Sequence, residues 1–156
     1  MGSISQRVLR SRKLTVGLVV TALFAVLAGT ATAGLVSSLT VANRTVAGKP
    51  ATIVVDRRGD TIYELSGESL SHLQCVTWQC LKQFPPVEVR GYGVRVPVFR
   101  GVPGRVTIMR RVRANLYQAM LDNHPLYYYS GDTQVAMTKG QGVKGPGGTW
   151  HVVKAS

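Results

Sequence analysis

The sequence predicts a small all-β domain, built of two related antiparallel hairpin modules and preceded by one N-terminal transmembrane or signal helix. Three observations predict it. An uncharged apolar stretch runs from Leu14 to Asn43 behind a basic leader. β-branched runs broken by Gly, Asp and Pro turns fill most of the remaining chain. The pattern at residues 62–69 returns at 126–133. Once an export segment is set aside, about 120 residues remain, enough for one compact core and too few for two.

The N-terminal element comes first. Arg7, Arg10, Arg12 and Lys13 form a positive leader, and Leu14 to Leu27 an apolar segment without charge. Ala31-Thr32-Ala33 offers small residues where a signal peptidase reads them, which predicts cleavage before Gly34. A retained anchor is the rival. Leu14 to Leu39 is 26 uncharged residues, and about 20 span a bilayer. Residues 1–33 therefore read as signal peptide or signal anchor, with the apolar part over 14–36, and both readings stand. Either way the basic leader stays cytoplasmic and the rest lies outside. No Cys follows the apolar segment, so lipid attachment there is excluded.

Residues 34–50 read as a linker, because Val41 to Pro50 is polar and small. The β domain is placed at 51–153. Ala51–Val55 and Thr61–Leu65 flank Asp56-Arg57-Arg58-Gly59-Asp60 and predict a hairpin. Ile62-Tyr63-Glu64-Leu65-Ser66-Gly67-Glu68-Ser69 aligns with Leu126-Tyr127-Tyr128-Tyr129-Ser130-Gly131-Asp132-Thr133, and Asp122-Asn123-His124-Pro125 supplies the preceding turn. Two copies, near 52–86 and 115–153, can cover each other's apolar faces, which one hairpin cannot do alone. Val87 to Arg113 predicts two or three short strands, Gln74–Gln83 and Arg113–Ala119 short helices, and Thr149–Val153 a last strand.

These residues resemble the bacterial secreted repeat of unknown function family. The first copy is similar through Val54-Val55-Asp56, Gly59, Thr61-Ile62-Tyr63, Cys75, Cys80 and Phe84-Pro85-Pro86. The second is similar through Asn123 to Asp132, Gly140-Gln141-Gly142 and Trp150-His151-Val152-Val153. Phe84 stands where that family usually has Trp, and the lipoprotein Cys is missing. The resemblance implies a β fold and a bacterial cell-envelope location, secreted or single-pass anchored. It brings no activity.

Candidate chemistry is sparse. Cys75 and Cys80 are the only cysteines, and an even count in an exported chain favours a disulfide. Free thiols, or a metal site with His72, are the alternatives, since four zinc ligands would have to be gathered from far along the chain. His124 and Met120 could enter a soft copper site, although a turn residue and a strand residue of the apolar face explain both. Tyr127, Tyr129 and Trp150 could stack on a ligand or simply pack, and in a strand Tyr128 would face away from its neighbours.

Charge supplies one more candidate. The chain carries a formal net charge of +12. Arg90, Arg95, Arg100, Arg105 and Arg110 recur every fifth residue, Arg111 and Arg113 follow, and no acid lies between Glu88 and Asp122. Such a field attracts anionic lipid or an envelope polymer, or else the arginines are solvated strand edges. Nucleic acid is not expected outside the cytoplasm. No Gly-x-Ser-x-Gly elbow, phosphate loop or His-Glu-x-x-His occurs, so no enzyme activity and no cofactor are expected. The leading expectation is a non-catalytic envelope binding or structural module, with the membrane as partner of its N-terminal helix where that segment is retained. The alternative is a metal- or redox-active envelope protein using Cys75 and Cys80 with histidines.

Overall fold

A computed structural model describes residues 38–89, 101–112, 115–145 and 147–155. Strand accounts for 46% of them and helix for 6%, and the strands pair antiparallel. The N-terminal helix expected over 14–36 lies outside the described residues, among which no helix is long and apolar enough to cross a membrane.

The described part of the expected 34–50 linker is mostly strand. β1 (Leu39–Val46) pairs along its whole length with β2 (Lys49–Asp56). Ala47 and Gly48, both at positive φ, make the tight turn between them. Alanine is an unusual residue for that conformation, and Asn43 and Arg44 make the strand polar, so neither cue was visible. The domain therefore begins by Leu39. β2 has its Asp-Gly turn, with Asp56 Oδ1 accepting from the Arg58 and Asp60 backbone N–H groups at 2.8 and 2.9 Å. Its return segment pairs with it briefly, through Val55 opposite Thr61 and the bonds of Asp56 N–H to Asp60 and Ile62 N–H to Val54. β3 (Tyr63–Leu65) instead pairs with β9 (Gly148–Val152), which also carries β8 (Lys144–Gly145).

In the other half, β5 (Val106–Arg111) pairs with β6 (Leu116–Leu121), and β4 (Glu88–Val89) and β7 (His124–Pro125) also bond to β6. β6 thus stands where a helix over Arg113–Ala119 was expected. Its cross-strand bonding along β5 overrides the local helix preference. The one helix among the described residues is α1 (Trp78–Gln83), shorter than the expected Gln74–Gln83. Thr77 caps it by accepting from Cys80 N–H, and Pro85-Pro86 cannot continue it.

Hydrogen bonds between the halves come in matched pairs. Tyr63 and Tyr127, sixty-four residues apart, exchange both backbone bonds at 2.8 and 2.9 Å. On one side Ile62 N–H donates to Val54, Val153 N–H to Ile62 and Val54 N–H to Val153. On the other, Leu126 N–H donates to Ala119, Val87 N–H to Leu126 and Ala119 N–H to Val87. Each hairpin is thus completed by the strand that follows the other one.

Strand alternation splits the core in two. Val54, Ile62, Val87, Ala119, Leu126 and Val153 fill one cluster. Ile53, Val55, Tyr63, Phe84, Tyr127, Trp150 and Val152 fill the other. Phe84 and Trp150 stack at 3.6 Å between centroids, and Tyr127 meets Trp150 edge-on at 4.9 Å. Tyr128 packs on the first cluster and Tyr129 on the second, the alternation expected of the tyrosine run.

Buried polar groups bind the halves reciprocally. Tyr63 Oη donates to Asp132 Oδ2 at 2.5 Å, and Tyr127 Oη donates to Glu68 Oε2 at 2.8 Å. The free carboxylate oxygens each accept from backbone seven residues on: Glu68 Oε1 from Cys75 N–H, Asp132 Oδ1 from Lys139 N–H. Burial pushes both tyrosines well above the ordinary phenol range, and their bonds to carboxylates add to it. The symmetry stops at Arg111. Its guanidinium enters only the Glu68 side, donating to Gln118 Oε1, Tyr127 Oη and Cys75 C=O, with Glu68 Oε1 at 3.7 Å.

Candidate functional site

Strand parity leaves one polar face over the second core cluster. In β3, Tyr63 and Leu65 point inward, so Glu64 points out. In β9, Trp150 and Val152 point inward, so His151 points out. The register sets Glu64 directly opposite His151. Around this pair opens a cleft of about 730 Å³, also lined by Asp122, His124, Gln141 and Lys154, with Pro103 and Leu121 at its apolar edge.

Each wall is fixed by local structure. Asp122 and Asn123, both at positive φ, form the β6–β7 turn that presents His124. Asp122 Oδ1 accepts from Arg105 N–H at 2.7 Å, and Asp122 N–H returns a bond to Arg105 C=O. Gly104 must be glycine at this point. Its φ is +103°, and a Cβ there would collide with the Asp122 carboxylate. Gln141 Oε1 accepts from Val152 N–H at 2.9 Å. That backbone donor fixes the amide, so Gln141 Nε2 donates to His151 Nδ1 at 3.1 Å. His151 then carries its ring proton on Nε2 in its neutral form.

Most buried polar groups are paired; among the described residues Glu64, the half-buried Glu88, Arg44 Nε and Thr107 Oγ1 are not. Asp56, Glu68, Arg111 and Gln118 are buried and bonded. Glu64 is half-buried, and its carboxylate has no hydrogen bond or ion pair among the described residues. Burial pushes it above the ordinary carboxylate range. His124 and His151 pull it back, and Asp122 adds to the rise.

The sites expected from sequence fall out differently. Cys75 and Cys80 form a disulfide across a Cα separation of 5.5 Å. Tyr127 and Trp150 are buried in the aromatic cluster and Tyr129 packs half-buried against it, so the three make no stacking platform. Arg111 leaves the expected anion-binding set because its guanidinium is consumed in the core. Arg105 and Arg110 are exposed, while Arg90, Arg95, Arg100 and Arg113 lie outside the described residues. His72 and His124 are exposed, and no group of three or more potential metal ligands occurs among the described residues. Glu64, Asp122, Gln141, His151 and Lys154 were missed as a site. The signal available for two of them was parity, since each is a polar residue between two core residues of a short strand.

None of the curated proteins and none of the solved structures compared matches the chain. Residues 117–154, which include His124, Gln141, His151 and Lys154 of the cleft, match the family model described as a secreted repeat of unknown function. Over residues 117–154 the chain is thus similar to the secreted repeat of unknown function, the family its motifs resemble.

Proposed function

We propose that this chain is an exported, non-catalytic binding module of the cell envelope, in which two copies of the repeat form a rigid frame for the Glu64–His151 cleft. Export is supported by the repeat match at 117–154 and by the basic leader with its uncharged stretch from Leu14. The pairing of Tyr63 with Tyr127, and of each closing strand with the other hairpin, supports reading the region near 52–86 as another, diverged copy. The non-catalytic part rests on the sequence, in which no Gly-x-Ser-x-Gly elbow, phosphate loop or His-Glu-x-x-His occurs.

One observation carries the reading. A carboxylate held half out of water without a partner costs free energy in the empty protein and regains it when a ligand donates to it. Glu64 is placed so, while its buried acidic neighbours are satisfied. Hydrogen–deuterium exchange on the full-length chain in micelles, with and without a solubilised envelope fraction, tests it. Protection is expected at 63–65, 122–125 and 149–154. Protection confined to Arg105–Arg110, or none, removes the cleft as the binding site.

A further inference from the structure

Resting on the binding-module reading, we infer that the Glu64–His151 cleft takes a neutral polyhydroxylated ligand, the chemistry of an uncharged envelope glycan. The lining narrows the ligand by what each class would leave unsatisfied. A divalent cation is disfavoured by the tautomer. Gln141 donates to His151 Nδ1, so Nε2, the nitrogen left to the cleft, carries a proton and cannot ligate in that state. Lys154 adds a positive charge at the same place. An anion meets Glu64 and Asp122, two carboxylates against one lysine. A wholly apolar ligand would bury Glu64 with nothing to donate to it.

Hydroxyls suit every one of these groups at once. Each offers one donor and two acceptor lone pairs. Glu64 accepts from adjacent hydroxyls, and the His151 Nε2–H and the Lys154 ammonium donate to others. Glu64 and His151 are directly opposed across β3 and β9, so donor and acceptor stand side by side, about 5 Å apart at Cβ. Pro103 and Leu121 offer an apolar edge to the C–H face of a ring. A volume of about 730 Å³ lies within the ~300–1,000 Å³ usual for small-molecule sites. Two backbone contacts, Val152 N–H on Gln141 and Arg105 N–H on Asp122, hold the polar groups in position before any ligand arrives.

The test is an amide-shift titration of the full-length chain in sugar-free zwitterionic micelles. The probes are chitotriose, maltotriose and mannotriose, with trigalacturonate and zinc ions alone as the charged comparators. The expected result is saturable shifts at Glu64, Gln141, His151 and Lys154 with at least one neutral trisaccharide. Glu64→Ala should then weaken binding about tenfold or more, Glu64→Gln less, and Arg110→Ser not at all. Silence with all three neutral saccharides overturns the inference. In that event a response to trigalacturonate, zinc or the envelope fraction leaves the binding module standing with a different ligand class. No response to any of them removes both.

Discussion

Glu64 and Glu68 sit four residues apart in one segment and live in opposite surroundings. Glu68 is 1% exposed and receives bonds from Gln74 N–H, Cys75 N–H and Tyr127 Oη, with Arg111 beside it. Glu64 is half-exposed and receives none among the described residues. The same acid is thus a cross-link in one place and an open acceptor in the other. The difference lies in what the backbone offers. Glu68 follows the turn after β3, where two N–H groups of the next segment converge on it. Glu64 lies within β3, whose backbone is engaged by β9 on one side and by Tyr127 on the other. A buried charge must be paired, and an unpaired one at a cleft is available for recognition.

The largest effect should come from breaking the paired region. Arg111→Met removes one partner of a buried ion pair, strips the Cys75 carbonyl of its donor, and should cost about 3–5 kcal/mol in urea denaturation. Glu64→Gln, at the open site, should change stability by no more than about 0.5 kcal/mol. Equal losses for the two variants would end the distinction between cross-link and acceptor.

Within the network, the two tyrosines should differ in turn. Tyr127→Phe leaves Glu68 and Arg111 each one bond short in a fully buried place and should cost about 2–3 kcal/mol. Tyr63→Phe removes the matching bond to Asp132, which is partly exposed and still accepts from Lys139 N–H, and takes the acceptor from Gly140 N–H. That loss should be about 1–2 kcal/mol. Similar costs for the two would mean that Arg111 adds nothing to the half it enters.

How much of this could be read from the chain depends on the physics of each feature. The tyrosine alternation, the short disulfide and the Asp-Gly turn are local, and local rules gave them. β1 escaped because its stability comes from β2 and from an Ala47-Gly48 turn with no strong signature. Arg111 left the expected arginine set for a different reason, strand alternation. Arg111 shares a strand face with buried Met109, whereas Arg110 faces water. Parity within β5 could have separated them. The cleft was not legible, because Glu64, Asp122 and His151 converge only when the closing strand of one copy completes the other.

The open site should also leave a signature in the pH dependence of stability. Burial raises the folded-state value of Glu64 above its ordinary 4.5. The folded protein therefore holds this proton more tightly than the unfolded chain. Below pH 4.5 both states are protonated and Glu64 costs nothing. As pH rises through the window above 4.5, the unfolded chain ionises first and stability falls. Glu64→Gln should remove that fall, so the stability difference between variant and parent should grow in the variant's favour with rising pH. A difference that is flat, or that grows toward acid, would place a donor on Glu64 and make it a second cross-link.

The smallest expected effect concerns one proton. Val152 N–H on Gln141 Oε1 orients the amide that donates to His151 Nδ1. Long-range nitrogen–proton spectra at neutral pH should show His151 as the Nε2–H tautomer. Gln141→Ala removes the donor and should produce a tautomer mixture while costing about 1 kcal/mol or less. An Nδ1–H tautomer in the parent would point the other way, because Nε2 would then face the cleft as an acceptor. The ligand class would move from hydroxyls toward a cation, and the open region would come to resemble the paired one in needing a positive partner.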